Sequence, residues 1–345
     1  MSAQQQTVVY VSHGKSNDIH VLSLDVATGA LTPIDRIVAP GVARPGNSLP
    51  LAVSPDRRFL YAAVRGEPLI ALTFAIDPRS GRLRYLGSGP LADIMAYISI
   101  DGTGRFLFGA SYQGGRIAVH DVSPEGIAHS VRQVALTEPK AHSVIIDRNN
   151  RYVHAAILGG DMILSLPFDD RAGMVAEGSA RATKTKAGAG PRHIVFHPQA
   201  PRLYLVNELD ATVSAFDYDE SAGALTEIQT ISALPPNFSG KPWAADIHIT
   251  RNGRFLYASE RTSSTLAIYA IDPASGRLTL QGHSPTETQP RAFAIDPSGR
   301  YLLSVGEMSN GLTNHAIDGE SGLLRDVARL PMGDGPNWVE IIHLP

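Results

Sequence analysis

A short apolar segment recurs seven times along the chain and constrains the fold more than any other feature. Phe59-Leu60-Tyr61-Ala62-Ala63 is the clearest copy, and the third residue of each copy serves as an anchor. The anchors are Tyr10, Tyr61, Phe108, His154, Tyr204, Tyr257 and Leu303, spaced 51, 47, 46, 50, 53 and 46 residues apart. A repeat of about 40–50 residues, rich in short strands and turns, is typical of a propeller blade. The sequence therefore predicts an all-β, seven-bladed β-propeller with four strands in each blade.

The two ends of the chain are expected to complete one blade together. The first copy starts at Val8 with no strand before it, and the chain finishes with an apolar strand pattern from Pro336 to Leu344. That last strand is expected to join the N-terminal blade, because closing the ring removes an exposed sheet edge. The whole chain, residues 1–345, is predicted to be a single propeller domain.

Composition excludes several classes of partner. The chain has 30 Lys and Arg against 33 Asp and Glu, a net charge of −3, so neither nucleic acid nor a membrane surface is an expected partner. Cysteine is absent. The segment Met1 to Gln6 is short and polar and lacks the apolar centre of a signal peptide, which predicts a cytoplasmic protein. The expected oligomeric state is a monomer or a weak homo-oligomer.

Ionisable residues accumulate at repeat positions that face the central channel of a propeller. These positions are the fourth residue after each anchor and the eleventh and twelfth residues before it. In blades four to seven they hold His142, Arg192, His193, Glu208, Asp246, Arg261, Arg291 and Glu307, and in blade two Arg65. Buried charges are costly, and perturbed charges gather in functional clefts. The alternative is a ring of arginine and glutamate side chains that pair with one another and only line a water-filled channel.

At these segments the chain resembles the bacterial propeller-type 6-phosphogluconolactonases. The matching runs are GPRHIVFHP (190–198), VNEL (206–209), PPNFSG (235–240), WAADIHIT (243–250), LYASERT (256–262) and TETQPRAF (286–293). The group also resembles a fungal propeller enzyme that lactonises carboxymuconate, in which a His, two Arg and a Glu form the site. The resemblance implies His142, Arg192, Glu208 and Arg261 as catalytic residues. The predicted substrate-binding residues are His193, Asn207, Asp246, Arg291, Glu307 and Arg65, of which Arg291 and Arg65 are expected to hold the phosphate or carboxylate of the substrate.

The resemblance implies hydrolysis of an anionic sugar lactone, with 6-phosphoglucono-1,5-lactone as the leading substrate. The two arginines Arg192 and Arg261 are expected to stabilise the oxyanion, and His142 or Glu208 to activate water. Neither a metal nor another cofactor is expected. Three alternatives stay open: a lactonase for aldonate or aldarate lactones, a muconate-type lactonising isomerase, and a non-enzymatic propeller scaffold.

Overall fold

The computed structural model describes residues 6–345, and their strands form seven antiparallel sheets arranged in a ring. The predicted all-β, seven-bladed β-propeller is confirmed. Each innermost strand contacts the innermost strand of the next blade, all the way round the ring. Most of the segment examined for a signal peptide lies outside the described residues. No helix within residues 6–345 is long and apolar enough to cross a lipid bilayer.

The strands follow one another along the chain in seven groups, each running from the channel outwards. Blade 1 contains β1 (Thr7–His13), β2 (Asp18–Leu24) and β3 (Leu31–Val38); blade 2, β4 (Leu51–Val53), β5 (Phe59–Ala63), β6 (Ile70–Ile76) and β7 (Leu83–Pro90); blade 3, β8 (Tyr97–Ile100), β9 (Phe106–Ser111), β10 (Arg116–Val122) and β11 (Ala128–Leu136); blade 4, β12 (Ala141–Ile146), β13 (Tyr152–Ile157), β14 (Met162–Asp169), β15 (Met174–Val175) and β16 (Arg181–Lys184); blade 5, β17 (Pro191–Phe196), β18 (Arg202–Asn207), β19 (Thr212–Asp219) and β20 (Ala224–Ser232); blade 6, β21 (Ala244–Ile249), β22 (Phe255–Glu260), β23 (Thr265–Ile271) and β24 (Leu278–Pro285); blade 7, β25 (Pro290–Ile295), β26 (Tyr301–Gly306), β27 (Gly311–Ile317) and β28 (Leu324–Pro331); and β29 (Pro336–His343) is last.

The last strand closes the ring, as predicted. β29 pairs antiparallel with β1 and supplies the innermost strand of blade 1, with Trp338 opposite Ser12 and Glu340 opposite Tyr10. Blade 4 differs from the others because its outer strand is split into β15 and β16, which both pair with β14. Two short 3₁₀ turns, Leu158–Gly160 and Glu177–Ser179, also lie in this blade.

The anchor residues of the repeat hold neighbouring blades together. The hydroxyl group of the buried Tyr10 donates a hydrogen bond of 2.9 Å to the Gly81 carbonyl of blade 2. Tyr204 makes the same bond to Gly276 of the next blade, also at 2.9 Å. Each acceptor glycine has a positive φ in an Asp-x-x-Ser-Gly turn, a conformation that glycine adopts without steric penalty. The apolar clusters lie between the blades around these residues.

An irregularity at the start of the inner strands determines which side chains reach the channel. The pairing register shifts between Ala141 and Ser143, Pro191 and His193, Ala244 and Ile247, and Pro290 and Ala292. Successive residues of a regular strand point to opposite faces, but a β-bulge redirects its extra residue. His142, Arg192, Asp246 and Arg291 all lie in these bulges.

Candidate active site

A buried glutamate joins two arginines at the centre of the site. The Oε2 atom of Glu208 accepts a hydrogen bond of 2.9 Å from Arg192 Nε and another of 2.9 Å from Arg261 Nη2. All three side chains are at most 11% exposed, and the residues come from blade 5 and blade 6. Burial favours the neutral form of Glu208, but the two arginines outweigh it and hold the pKa of this carboxyl below its usual range.

Each of these arginines has one amino group that makes no hydrogen bond to residues 6–345. Arg192 Nη1 donates to the carbonyl of Ala245 and to His193 Nε2, which leaves Nη2 without a partner. Arg261 donates from Nε to Trp243 O at 3.1 Å and from Nη2 to Ala244 O at 3.0 Å, which leaves Nη1. Its guanidinium also lies 3.8 Å from the Trp243 ring centroid. The remaining contacts fix both guanidinium planes, so the two free amino groups are preorganised donors.

His142 lies beside the same glutamate but does not touch it. Its Nε2 atom is 3.9 Å from Glu208 Oε2, a distance that a bridging water can span. Burial lowers the pKa of His142 well below 6.5, and the charges of Arg192 and other nearby cationic groups lower it further. The imidazole is therefore neutral and has a nitrogen lone pair.

A second ion pair lies next to the first group. Arg291 Nη1 is 3.3 Å from Glu307 Oε1, and both side chains come from blade 7. Arg65, on blade 2, has no anionic partner within 4 Å among the described residues. Burial lowers its pKa to about 10, and the charges of Arg291 and Arg192 contribute to the decrease. Four arginines (Arg65, Arg192, Arg261 and Arg291) face three carboxylates (Glu208, Glu307 and Asp246, which is bonded to His193). This leaves an excess of one positive charge, which favours an anionic ligand.

The structure brings together nine of the ten predicted site residues and places the tenth elsewhere. The nine are His142, Arg192, Glu208, Arg261, His193, Asp246, Arg291, Glu307 and Arg65. Asn207 instead donates hydrogen bonds to Thr212 Oγ1 and Ser214 Oγ of β19 in its own blade. Asn207 is the last residue of β18 and directly precedes Glu208. Adjacent side chains of an extended segment point to opposite faces, so the Asn207 side chain points away from that of Glu208. A substrate contact by Asn207 stays a prediction.

Three aromatic rings from different blades form the floor of the site. The Tyr97 ring centroid is 5.0 Å from that of His193 and 5.2 Å from that of Trp338, and His193 and Trp338 are 6.0 Å apart. Rings from blades 3, 5 and 1 can meet only across the channel axis. Trp338 also donates to Glu340 at 3.0 Å, and burial raises the pKa of this glutamate to about 7.

Sequence reasoning missed this floor for two reasons. Tyr97 lies eleven residues before its anchor, like His193, but it is not one of the charged residues that single out the cluster. Trp338 and Glu340 belong to the strand that completes blade 1 from the far end of the chain. Counting back from Tyr10 therefore cannot reach them, whereas the predicted pairing of the last strand with β1 could have located them.

One group of side chains in the described part of the chain resembles a metal site. Donor atoms of His13, Asp18 and His20 lie within 4.8 Å of one another. Asp18 is already engaged: it is 2.9 Å from His13 Nδ1, accepts a hydrogen bond from Ser16 and pairs with Arg36. We interpret the group as a hydrogen-bonded network of blade 1. The expected absence of a metal stays a prediction.

Stability is expected to fall as the pH decreases from 6.5 towards 4. Burial lowers the pKa of His154 to about 3, and burial followed by the charge of Arg192 lowers that of His193 to about 4. Unfolded histidines titrate near pH 6.5, so below this pH the unfolded state binds protons that the native state does not. Each such histidine lowers the free energy of unfolding by about 1.4 kcal/mol per pH unit in this window. Urea unfolding at pH 7.5 and pH 5.0 measures the difference, and His154→Gln should reduce it. Equal free energies at both pH values would contradict the prediction.

Comparisons with known proteins identify the family of the chain. The model of the family "Lactonase, 7-bladed beta-propeller" matches residues 5–341. The 6-phosphogluconolactonase of Pectobacterium carotovorum is 40% identical over 339 residues, which cover 98% of this chain and 99% of the relative. The Cronobacter sakazakii 6-phosphogluconolactonase is 39% identical over 333 residues and covers 96% and 97%.

A solved structure gives the same result. The structure of the periplasmic gluconolactonase PpgL of Pseudomonas aeruginosa superposes with a TM-score of 0.88 at 28% identity and covers 99% of this chain and 100% of that chain. The predicted family resemblance is thus confirmed over nearly the full length. The chain belongs to the seven-bladed β-propeller lactonase family.

Proposed function

We propose that the protein hydrolyses 6-phosphoglucono-1,5-lactone to 6-phosphogluconate. As a member of a lactonase family it is a carboxylic ester hydrolase. The observation that supports this substrate best is the arrangement of two free arginine amino groups beside an excess of positive charge that includes Arg65, which has no anionic partner among the described residues. A lactone carbonyl needs the first feature and a phosphate monoester, with a charge of about −2 at neutral pH, needs the second.

In the proposed mechanism, the lactone carbonyl oxygen lies between Arg192 Nη2 and Arg261 Nη1. As water adds to the carbonyl carbon, negative charge develops on this oxygen, and the two fixed donors stabilise it. Both guanidinium groups are held by Glu208 and by backbone carbonyls before the substrate binds. Little reorganisation is therefore needed during the reaction.

The attacking water occupies the space between His142 Nε2 and Glu208. One of its protons passes to the neutral His142 as its oxygen bonds to the carbonyl carbon. Glu208 orients the water, because two arginines lower its own basicity. When the tetrahedral intermediate collapses, the ring C–O bond breaks and His142 returns the proton to the departing oxygen. A bound phosphate offsets the arginine charges that lower the pKa of His142, so substrate binding makes this base stronger.

A substrate panel tests the proposal directly. Purified protein is assayed in a pH-stat with the δ-lactones of 6-phosphogluconate and gluconate and with galactarolactone, each corrected for spontaneous opening. We expect the highest kcat/KM for the phosphorylated lactone. Preference for the dicarboxylate lactone would overturn the substrate assignment. Conversion of a muconate to its lactone, with no hydrolysis of sugar lactones, would identify an isomerase instead.

Arg65 should control the preference for the phosphorylated substrate. Arg65→Gln is expected to raise KM for 6-phosphoglucono-1,5-lactone at least tenfold, because a charged hydrogen bond to phosphate contributes about 1.5–3 kcal/mol. KM for the uncharged gluconolactone should change less than threefold. Steady-state kinetics on both lactones measures the contrast, with Arg79→Gln, an exposed arginine of the same blade, as the control. An equal change in KM for both lactones would refute the phosphate role.

A further inference from the structure

His193 connects the catalytic arginine to a buried carboxylate. Its Nε2 atom is 3.2 Å from Arg192 Nη1, and its Nδ1 atom is 2.8 Å from Asp246 Oδ1. An arginine can only donate, so Nε2 of His193 must accept. The proton of the neutral ring is then on Nδ1, from which it is donated to Asp246. The contacts of the two neighbours thus select one tautomer.

Two backbone N–H groups and the His248 ring hold the Asp246 carboxylate in one orientation. Its Oδ1 accepts the backbone N–H of Ile247 at 3.0 Å, and its Oδ2 accepts that of Phe293 at 3.2 Å. His248 Nε2 lies 3.2 Å from the same Oδ2 atom. The carboxylate is 9% exposed and joins blades 5, 6 and 7 at the floor of the site. Such a fixed acceptor has one orientation to offer His193.

We infer that Asp246 is a positioning residue: through His193 it fixes the plane of the Arg192 guanidinium, so that the free Nη2 amino group faces the lactone carbonyl. Asp246 does not touch the substrate in this arrangement. The inference rests on the proposed role of Arg192 in lactone hydrolysis. It adds a reason why the site needs a histidine at position 193, where the ring has to accept from one neighbour and donate to another.

Two substitutions of Asp246 distinguish its role as a hydrogen-bond acceptor from its negative charge. Alanine removes both, whereas asparagine removes the charge and keeps an oxygen acceptor. In Asp246→Ala the Nδ1 atom of His193 has no acceptor, so the ring can reverse its tautomer. A protonated Nε2 then opposes the Nη1 donor of Arg192 and displaces the guanidinium, although Glu208 and the Ala245 carbonyl still bind it. We expect kcat to fall about 10²-fold, with KM within threefold of wild type, since displacement of a catalytic group by about 1 Å has this effect. Asp246→Asn keeps a carbonyl oxygen for His193 and should recover kcat to within tenfold of wild type. His248→Gln, which alters the other partner of Asp246, should stay within threefold.

A double-mutant cycle tests whether Asp246 acts through Arg192. In the Arg192→Lys background the guanidinium fork is already lost, so Asp246→Ala should lower kcat less than threefold further. A full 10²-fold further decrease would show that Asp246 acts independently and would overturn the inference. Loss of kcat in Asp246→Asn as severe as in Asp246→Ala would also overturn it.

NMR spectroscopy can measure the tautomer of His193 independently of enzymatic activity. In ¹⁵N spectra of the wild-type protein, the His193 imidazole should show a protonated Nδ1 and a bare Nε2, and Asp246→Ala should abolish this pattern. A protonated Nε2 in wild type would overturn the positioning role even if the enzyme is active. If wild type hydrolyses no lactone, the proposed function fails, and the imidazole spectrum still decides whether the contact exists.

Discussion

Replacement of Arg192 by methionine is expected to lower kcat on the lactone about 10³-fold, with the propeller still folded. Arg192 supplies one of the two free amino groups at the reaction centre, and loss of one oxyanion donor alone costs about 10²–10³ in rate. Methionine also removes the Nε contact that orients Glu208, so the effect should reach the upper end of this range. The measurement is kcat on the phosphorylated lactone, with circular dichroism and the unfolding midpoint as checks of folding.

Arg192→Lys tests the same role of Arg192 in a variant that keeps the positive charge. Removal of a buried cation can cost about 3–5 kcal/mol of stability, because its anionic partner is left without full compensation. Lysine keeps the charge beside Glu208 but loses the planar fork, so it should fold well and remain at least about 10²-fold impaired. Near-normal kcat in a folded Arg192→Lys protein would exclude Arg192 from the reaction centre.

Replacement of Glu208 by glutamine is expected to lower both kcat and KM. The amide cannot orient the attacking water as an anion does, and it puts donors against two guanidinium groups, so kcat should fall about 10³-fold. The excess of positive charge in the site also rises from one to two. The phosphorylated lactone should therefore bind more tightly, and its KM should decrease severalfold.

A control variant distinguishes the loss of negative charge from the loss of the Glu208 carboxylate itself. Glu307→Gln is the matched comparison, because it removes the same charge from a carboxylate whose one ionic partner among the described residues is Arg291. It should lower KM in the same direction, with a decrease in kcat of less than tenfold. A rise in KM for Glu208→Gln, or equal losses of kcat in both variants, would show that the Glu208 carboxylate has no special place beside the reacting atoms.

The sequence was sufficient to predict the fold because the blades repeat. Each anchor is fully buried on the second strand of its blade, so seven copies give one consistent pattern, and the unpaired first copy at Tyr10 indicates the closing strand. The split outer strand of blade 4 could not be foreseen in the same way. It depends on a local turn around Glu177–Ser179 that has no counterpart in the other repeats.

The site was predictable only as far as repeat positions determine side-chain direction. Counting from the anchors places Arg192 and Glu208 at one end of the channel, and in the structure their side chains are hydrogen-bonded. Counting cannot show that a β-bulge brings the adjacent residues Arg192 and His193 to the same cluster, because regular alternation would separate them. The orientation of Asn207 was missed for the related reason that the motif around it identifies a segment and not a face.

Closure of the ring by β29 has a consequence for when the protein becomes active during synthesis. Trp338 and Glu340, which complete the floor with His193, are made after the strands of all the other blades, whereas their partner strand β1 is made before them. Until β29 is made, blade 1 lacks its innermost strand, and the rings of Tyr97 and His193 lack their partner Trp338. A nascent chain at this stage should bind its ligand poorly and hydrolyse little of it, so activity is expected only once β29 has emerged and paired with β1.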